Sequence, residues 1–269
     1  MKRRSALAAG CVTVGSIATG ALTRPSSGGG PVATARRADD SSDTDRRSEP
    51  ILEETVHETT LYEIDAPESG PTAMVFGGIH GDEQNGIEVA QEMTDWQPDA
   101  GTLVVIPETD RIAVENGERE GIDGDLNRHF PPGGEPQSEL ARGVWNALET
   151  YDPDVVLDLH RSLGIYGVHH QYVGQIVFHS PDARGSALAD ALNDEVIPWY
   201  MPLHRFRSST SDINGPLLFQ AANRELGATS YLLESTSFVL DEDAMNRHTR
   251  FGAAKVLELH GLLETEGDE

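Results

Sequence analysis

Lysine is almost missing from this chain. Of 269 residues only Lys2 and Lys255 are lysines, and every other basic side chain is an arginine. Cysteine is scarcer still: Cys11 stands alone, which excludes an intrachain disulfide and a cysteine metal site. Aromatics make up 6% and all hydrophobic residues 38%, thin but sufficient for one core in a chain of this length. No stretch is long and apolar enough to supply the ~20 residues of a membrane-spanning helix, so no stable membrane span is expected.

Positive charge is also short. The chain holds 20 basic and 45 acidic side chains, a net charge of -25. Residues 1–47 carry eight basic and four acidic groups, leaving 12 against 41 for the rest. A surface this acidic repels polyanions, so nucleic acid and anionic lipid are excluded as partners. The acid-rich, lysine-poor composition points to a high-salt setting, where the Debye length falls to ~3 Å at 1 M and self-repulsion is screened. A merely acidic protein from ordinary salt is the weaker alternative.

The N-terminus reads as an export signal over residues 1–23. Lys2, Arg3 and Arg4 precede a weakly apolar stretch from Leu7 to Leu22. The arginine pair resembles a twin-arginine signal, with Ala6 where an aromatic is usual. Ala8-Ala9-Gly10-Cys11 is similar to a lipoprotein box, but six residues between Arg4 and Cys11 are too few for an apolar region. Ala33-Thr34-Ala35 offers a cleavage site. Residues 24–50, rich in Ser, Gly, Asp, Arg and Pro, are expected to form a disordered linker. Residues 51–269 are expected to form the catalytic domain.

In that domain short apolar runs alternate with amphipathic ones. The runs predict strands over residues 72–77, 102–107, 155–159, 175–179 and 229–233, rich in Val and Ile as doubly buried strands are. Helices are expected over 85–95, 138–151, 183–195, 216–226 and 241–263, with Pro216 in a first turn. This alternation implies an α/β sandwich around a largely parallel sheet, with the site beyond the carboxyl ends of the strands.

Four constellations sit at such ends. Gly77-Gly78-Ile79-His80-Gly81-Asp82-Glu83 brings an imidazole and a carboxylate together after a sharp turn, both ordinary zinc ligands. The spacing alone is weak, since a glycine turn before a helix with a solvated Glu reads the same way. Val155 to His160 is an apolar strand delivering a third such ligand, although a lone strand-end histidine is more often structural. Asp158, two residues earlier, shares its face and could orient a histidine or approach a catalytic water. Asp125-Leu126-Asn127-Arg128-His129-Phe130-Pro131 supplies an arginine fork suited to a carboxylate, or a plain surface ion pair. Tyr231 to Ser235 ends an apolar strand in Glu234, a carboxylate suited to be a general base beside a metal or, less suitably, to cap the last helix.

In this order the four motifs resemble the succinylglutamate desuccinylase/aspartoacylase family, a branch of the zinc carboxypeptidases, over residues 70–235. The resemblance implies a zinc-carboxypeptidase-like three-layer sandwich around a mixed, largely parallel sheet. It implies one Zn2+ per chain held by His80, Glu83 and His160, a general base at Glu234, and a substrate carboxylate bound by Asn127 and Arg128. The family also polarises the scissile carbonyl with an arginine upstream of the Asn-Arg pair. Arg119 is the nearest candidate and Arg111 the fallback. Full-length family members carry a β-rich segment after the base, whereas here one helical stretch follows Glu234, as in a minimal carboxypeptidase domain. The expectation is a small-molecule or peptide substrate bearing a carboxylate, cleaved at an amide by an exported deacylase. A metallocarboxypeptidase and a non-catalytic zinc- or ligand-binding surface protein are the alternatives, and ester cleavage would use the same machinery. His169, His170, His179, His204, Tyr166, Tyr172 and Tyr200 lie between the third ligand and the base and could shape the pocket.

Overall fold

The computed structural model describes residues 45–264. The expected export signal, the cleavage site and the linker up to residue 44 lie outside the described residues. Residues 45–50, expected in the linker, form part of a strand instead. This strand, β1 (Asp45–Ile51), is exposed and pairs antiparallel with β2 (Thr59–Asp65). Only Ile51 at its end is aliphatic, so no apolar pattern announces it, and Arg47 holds it through Glu63 (2.6 Å) and Asp65 (2.5 Å) on β2.

The remaining strands are β3 (Glu68–Phe76), β4 (Ala100–Ile106), β5 (Val155–Ser162), β6 (Ile176–His179), β7 (Arg207–Thr210) and β8 (Thr229–Thr236). Together they form one eight-stranded sheet in the order β1-β2-β4-β3-β5-β8-β6-β7. The β3–β4, β3–β5, β5–β8 and β6–β7 pairs are parallel, and the other three pairs are antiparallel. The sheet is thus mixed, with its parallel strands at the centre.

Helices cover both faces. On one side α1 (Gln84–Met93), α4 (Gly185–Glu195) and α6 (Glu242–Leu259) pack Val89, Leu192 and Val256 against Val75, Leu157 and Leu233. On the other, α3 (Glu139–Tyr151) and α5 (Leu218–Ala221) pack Leu140, Val144 and Leu218 against Met74, Phe76 and Val156. Alternate residues of β3 and β5 therefore enter opposite cores, as the two-residue period of a strand requires. A further short helix, α2 (Arg111–Asn116), has Asp110 as its N-cap, accepting from Ala113 N at 3.1 Å. At six residues it shows too little periodicity to be read from sequence.

The helix expected over 216–226 is shorter and irregular. Pro216 precedes it, and α5 passes directly into a π turn, Ala222–Leu226. Arg224 in that turn donates to the carbonyls of Ile213 (2.5 Å), Gly215 (3.1 Å) and Phe130 (3.3 Å), tying the widened turn to the loop that enters α5.

Candidate metal centre and active site

Strands β3, β5 and β8 lie side by side and end on the same edge of the sheet. Past β3 the chain reverses at Gly78, whose φ of +63° suits glycine and strains other residues. The turn places His80 and then Glu83, the N-cap of α1, over the end of β5. On β5, His160 shares a face with Val156 and Asp158. In the β5–β8 ladder His160 pairs directly with Glu234, so these two side chains stand on one face about 5 Å apart at the backbone.

Glu83 is the hub. Its Oε1 lies 3.0 Å from His80 Nδ1 and its Oε2 lies 2.7 Å from His160 Nδ1. The Arg161 backbone N–H also donates to Oε2, at 3.0 Å. Each imidazole is held from behind by a second carboxylate. His80 Nε2 is 3.0 Å from Asp125 Oδ1, and His160 Nε2 is 2.9 Å from Asp158 Oδ1. The rings, 4.8 Å apart between centroids, thus present Nδ1 toward each other and toward Glu83. All three residues are buried, and their candidate ligand atoms lie within 4.8 Å of one another.

Electrostatics point the same way. Burial opposes charge on every member, yet the cluster favours ionised forms. Burial lowers the pKa of His80, but Asp125 and Glu83 raise it on balance. His160 is raised well above the ordinary imidazole range by Asp158 and Glu83, again against burial. Glu83, despite its burial, is held far below the usual carboxylate range by His160 and His80, and Asp125 is likewise depressed by His80 and two arginines. Three carboxylates around two imidazoles hold positive charge in a dry place, and the donor set of two nitrogens and one carboxylate oxygen fits a divalent metal ion.

Glu234 differs. Burial raises its carboxyl to about 7, with His160 pulling the other way, and among the described residues its Oε2 has no hydrogen-bond partner. A half-buried carboxylate with a free oxygen beside a cation site is placed to take a proton.

The arginine candidates separate. Arg119 reaches the cluster, with Nη1 3.1 Å from Glu83 Oε1 and Nη2 3.4 Å from Asp125 Oδ2. Arg111 does not: its Nε donates to Glu58 O at 2.6 Å and its Nη1 pairs with Glu115. The expected Asn127–Arg128 pair is split. Asn127 is 1% exposed, with Nδ2 on Asp158 Oδ2 (3.3 Å) and on the His160 ring (3.1 Å), and with Oδ1 accepting from Leu218 N (2.9 Å). Its amide lies in the wall of the site, against Asp158 and His160. Arg128 is exposed, 3.7 Å from Asp125 Oδ2.

Sequence reasoning assigned no role to Asp125. Its position two residues before Asn127, in a loop already singled out, was the available signal. Of the other candidates, Tyr166, His169, His170 and Tyr172 lie on the loop after β5, while His179 faces the opposite core, bonded to Ser180 O (2.8 Å) and Ser208 Oγ (2.9 Å). His204 is buried against Phe238 O (2.8 Å), and Tyr200 is exposed.

Residues 69–251 match the family model of the succinylglutamate desuccinylase/aspartoacylase catalytic domain. N-alpha-acetyl-L-2,4-diaminobutyric acid deacetylase of Halomonas elongata is 37% identical over 98 residues, 34% of this chain and 28% of the relative. The product-bound cell shape determinant protein Csd4 of Helicobacter pylori superposes with a TM-score of 0.63 at 14% identity, over 77% of this chain and 56% of Csd4. The product-bound ectoine utilization protein EutE (DoeB) of Ruegeria pomeroyi gives 0.60 at 19% identity, over 84% and 69%. The chain thus spans just over half of Csd4 and under a third of the deacetylase, and the solved structures share its fold. A catalytic-domain match over most of its length makes this chain a member of the succinylglutamate desuccinylase/aspartoacylase family.

Proposed function

We propose that this protein is a zinc-dependent amide hydrolase acting on N-acyl amino acids or related carboxylate-bearing amides. The observation that carries the proposal is the meeting of two imidazole Nδ1 atoms on one carboxylate, each ring braced by its own second carboxylate. His80, Glu83 and His160 would hold the ion. Zinc in such a site supplies a Lewis acid that polarises the scissile carbonyl and acidifies water.

The chain's own residues do the rest. Arg128 binds the substrate carboxylate through its exposed fork and sets the register of the amide. Arg119 turns its guanidinium from Glu83 toward the carbonyl oxygen and stabilises the charge that develops there. Glu234 accepts a proton from the attacking water at its unpartnered Oε2 and returns it to the leaving amine. Asn127 and Asp158 fix the His160 ring from behind.

Metal content of the purified full-length chain tests this reading. About one zinc per chain, lost in His160→Ala, is expected, together with release of free amino acid from an N-acyl amino acid panel. A folded wild type that binds no metal and cleaves nothing would refute it. The second reading, a metallocarboxypeptidase, draws support from the fold shared with Csd4, described as a D,L-carboxypeptidase. Product analysis separates the two: a released acyl group supports the first, a released C-terminal residue the second. The unpartnered Glu234 oxygen argues against a purely binding role, which needs no base.

Export is part of the proposal and rests on residues 1–23 alone. Exchanging Arg3 and Arg4 together for lysine is expected to retain the protein inside the cell, as read by fractionation.

A further inference from the structure

The α3–α5 layer holds a cavity of about 360 Å³ between α3, the π turn Ala222–Leu226 and the loop of residues 130–136. None of His80, Glu83, His160 and Glu234 lines it. Phe130 and Trp145 form an aromatic corner in its wall, with ring centroids 6.4 Å apart and planes tilted by 43°. Glu135, Glu149 and Glu225 share the wall, and Arg224 is its one basic group among the described residues. A cavity of this size suits a small molecule, and π turns recur at functional sites.

The charges in the wall do not balance. Arg224 gives Nε to Glu225 (2.6 Å), Nη1 to the carbonyls of Ile213 and Gly215, and Nη2 to that of Phe130. It neutralises Glu225 and keeps little to offer an anion. Glu135 has no hydrogen bond or ion pair among the described residues, and Glu149 accepts from Trp145 Nε1 at 2.9 Å, one turn along α3. Arg142, the basic residue of α3, donates to Pro136 O (3.4 Å) and stands outside the lining. Two carboxylates are therefore left uncompensated beside two aromatic rings. Elsewhere aromatic faces are covered from within the chain: the Arg46 guanidinium lies 5.2 Å from the Tyr62 centroid and that of Arg207 lies 4.8 Å from that of Tyr166. Among the described residues no cation covers Trp145.

This lining narrows the ligand. An anion is repelled by the free carboxylates. A metal ion needs a shell of oxygens that an indole and a phenyl ring cannot supply. A neutral apolar ligand would take water from the carboxylates and return no interaction. An organic cation suits both halves of the wall, because the ring face is the negative part of the aromatic quadrupole and the carboxylates add direct attraction. We propose that this cavity binds a small quaternary-ammonium compound, with its cationic head on Trp145 and Phe130 and opposite Glu135 and Glu149. The Trp145–Glu149 bond fixes the indole before the ligand arrives, which lowers the ordering cost of binding. The site stands independently of the metal centre and of the hydrolase reading.

The test titrates the full chain with choline and with its neutral isostere 3,3-dimethylbutan-1-ol, by isothermal calorimetry at constant ionic strength. Wild type is expected to bind one choline per chain, about tenfold more tightly than the alcohol. Glu135→Gln and Glu149→Gln together should remove most of that preference and leave the alcohol unchanged, and Trp145→Leu should abolish choline binding. Glu135 and Glu149 are exposed, so the double variant keeps the fold and decides the matter if Trp145→Leu does not fold. Glu234→Gln, altered at the metal centre, should bind choline as wild type does. No choline binding, equal affinity for the two compounds, or an undiminished preference in the double variant would overturn the proposal. So would loss of binding in Glu234→Gln, which would put the choline in the catalytic site.

Discussion

Glu234 and Glu83 are the same residue type on neighbouring elements, and their surroundings drive them apart. Glu83 accepts from two imidazoles and a backbone N–H and stays ionised, while Glu234 is half-buried, with one buried oxygen unpartnered among the described residues, and rises to about 7. The base must be ionised to act, so activity is expected to fall as the pH drops below about 7, with a bound cation moving that limb lower. Glu234→Gln should keep its metal and lose about 10²- to 10⁴-fold in kcat, measured by steady-state assay beside metal analysis. Near-normal turnover with zinc retained would remove Glu234 from the mechanism. Asp125 supports a different expectation. It touches His80 Nε2, away from the ligand atoms, so Asp125→Asn should weaken metal affinity about 10- to 100-fold in a chelator competition while the protein still folds. Unchanged affinity would make Asp125 a bystander. The meeting of His80, Glu83, His160 and Glu234 at one edge of the sheet was legible because each follows a glycine turn or ends an apolar run. The inward turn of Asn127 was not legible, because it depends on Leu218 N, 91 residues away.

Among the elements, β5 and β8 read clearly because both are largely buried on both faces and carry the apolar runs Val155–Leu157 and Tyr231–Leu233. The edge behaved otherwise. Strand β1 is exposed along almost its whole length, and β7 has the sequence RSST, so neither presents a pattern to read. The fit between α1 and β5 was hidden for another reason: it depends on a close approach that only coordinates reveal. A Cβ on Gly86 would lie 2.4 Å from Leu159 O, and that backbone cannot yield without moving His160. Because α1 carries Glu83 at its start and β5 carries His160, Gly86→Ala should disturb stability and metal binding together. A loss of about 1–3 kcal/mol by denaturant titration is expected, with weaker zinc retention. Lower stability with unaltered metal affinity would show that the two elements shift as one body.

Over the whole molecule, the net charge of -25 meets a sheet whose interior is ordinary. The acid surplus therefore sits outside, where repulsion among carboxylates opposes the compact state and salt screens it. At 0.1 M ionic strength the Debye length is about 10 Å, long enough to couple neighbouring surface carboxylates, and near 1 M it shrinks to about 3 Å. Ion pairs such as Arg46–Asp95 and Arg47–Glu63 weaken under the same screening, but exposed pairs add little to stability. The two effects oppose each other, and with 45 acidic side chains against 20 basic the repulsive one is larger. The melting temperature is expected to climb steadily from 0.1 to 2 M sodium chloride and to climb equally in potassium chloride, since screening depends on ionic strength and not on the cation. Sodium sulfate should raise it further, because excluded salts also strengthen burial of apolar surface. Scanning calorimetry in the three salts decides the matter. A flat or falling melting temperature in the chlorides would mean that the acidic surface costs the fold little, and the case for a high-salt protein would then lose its physical footing.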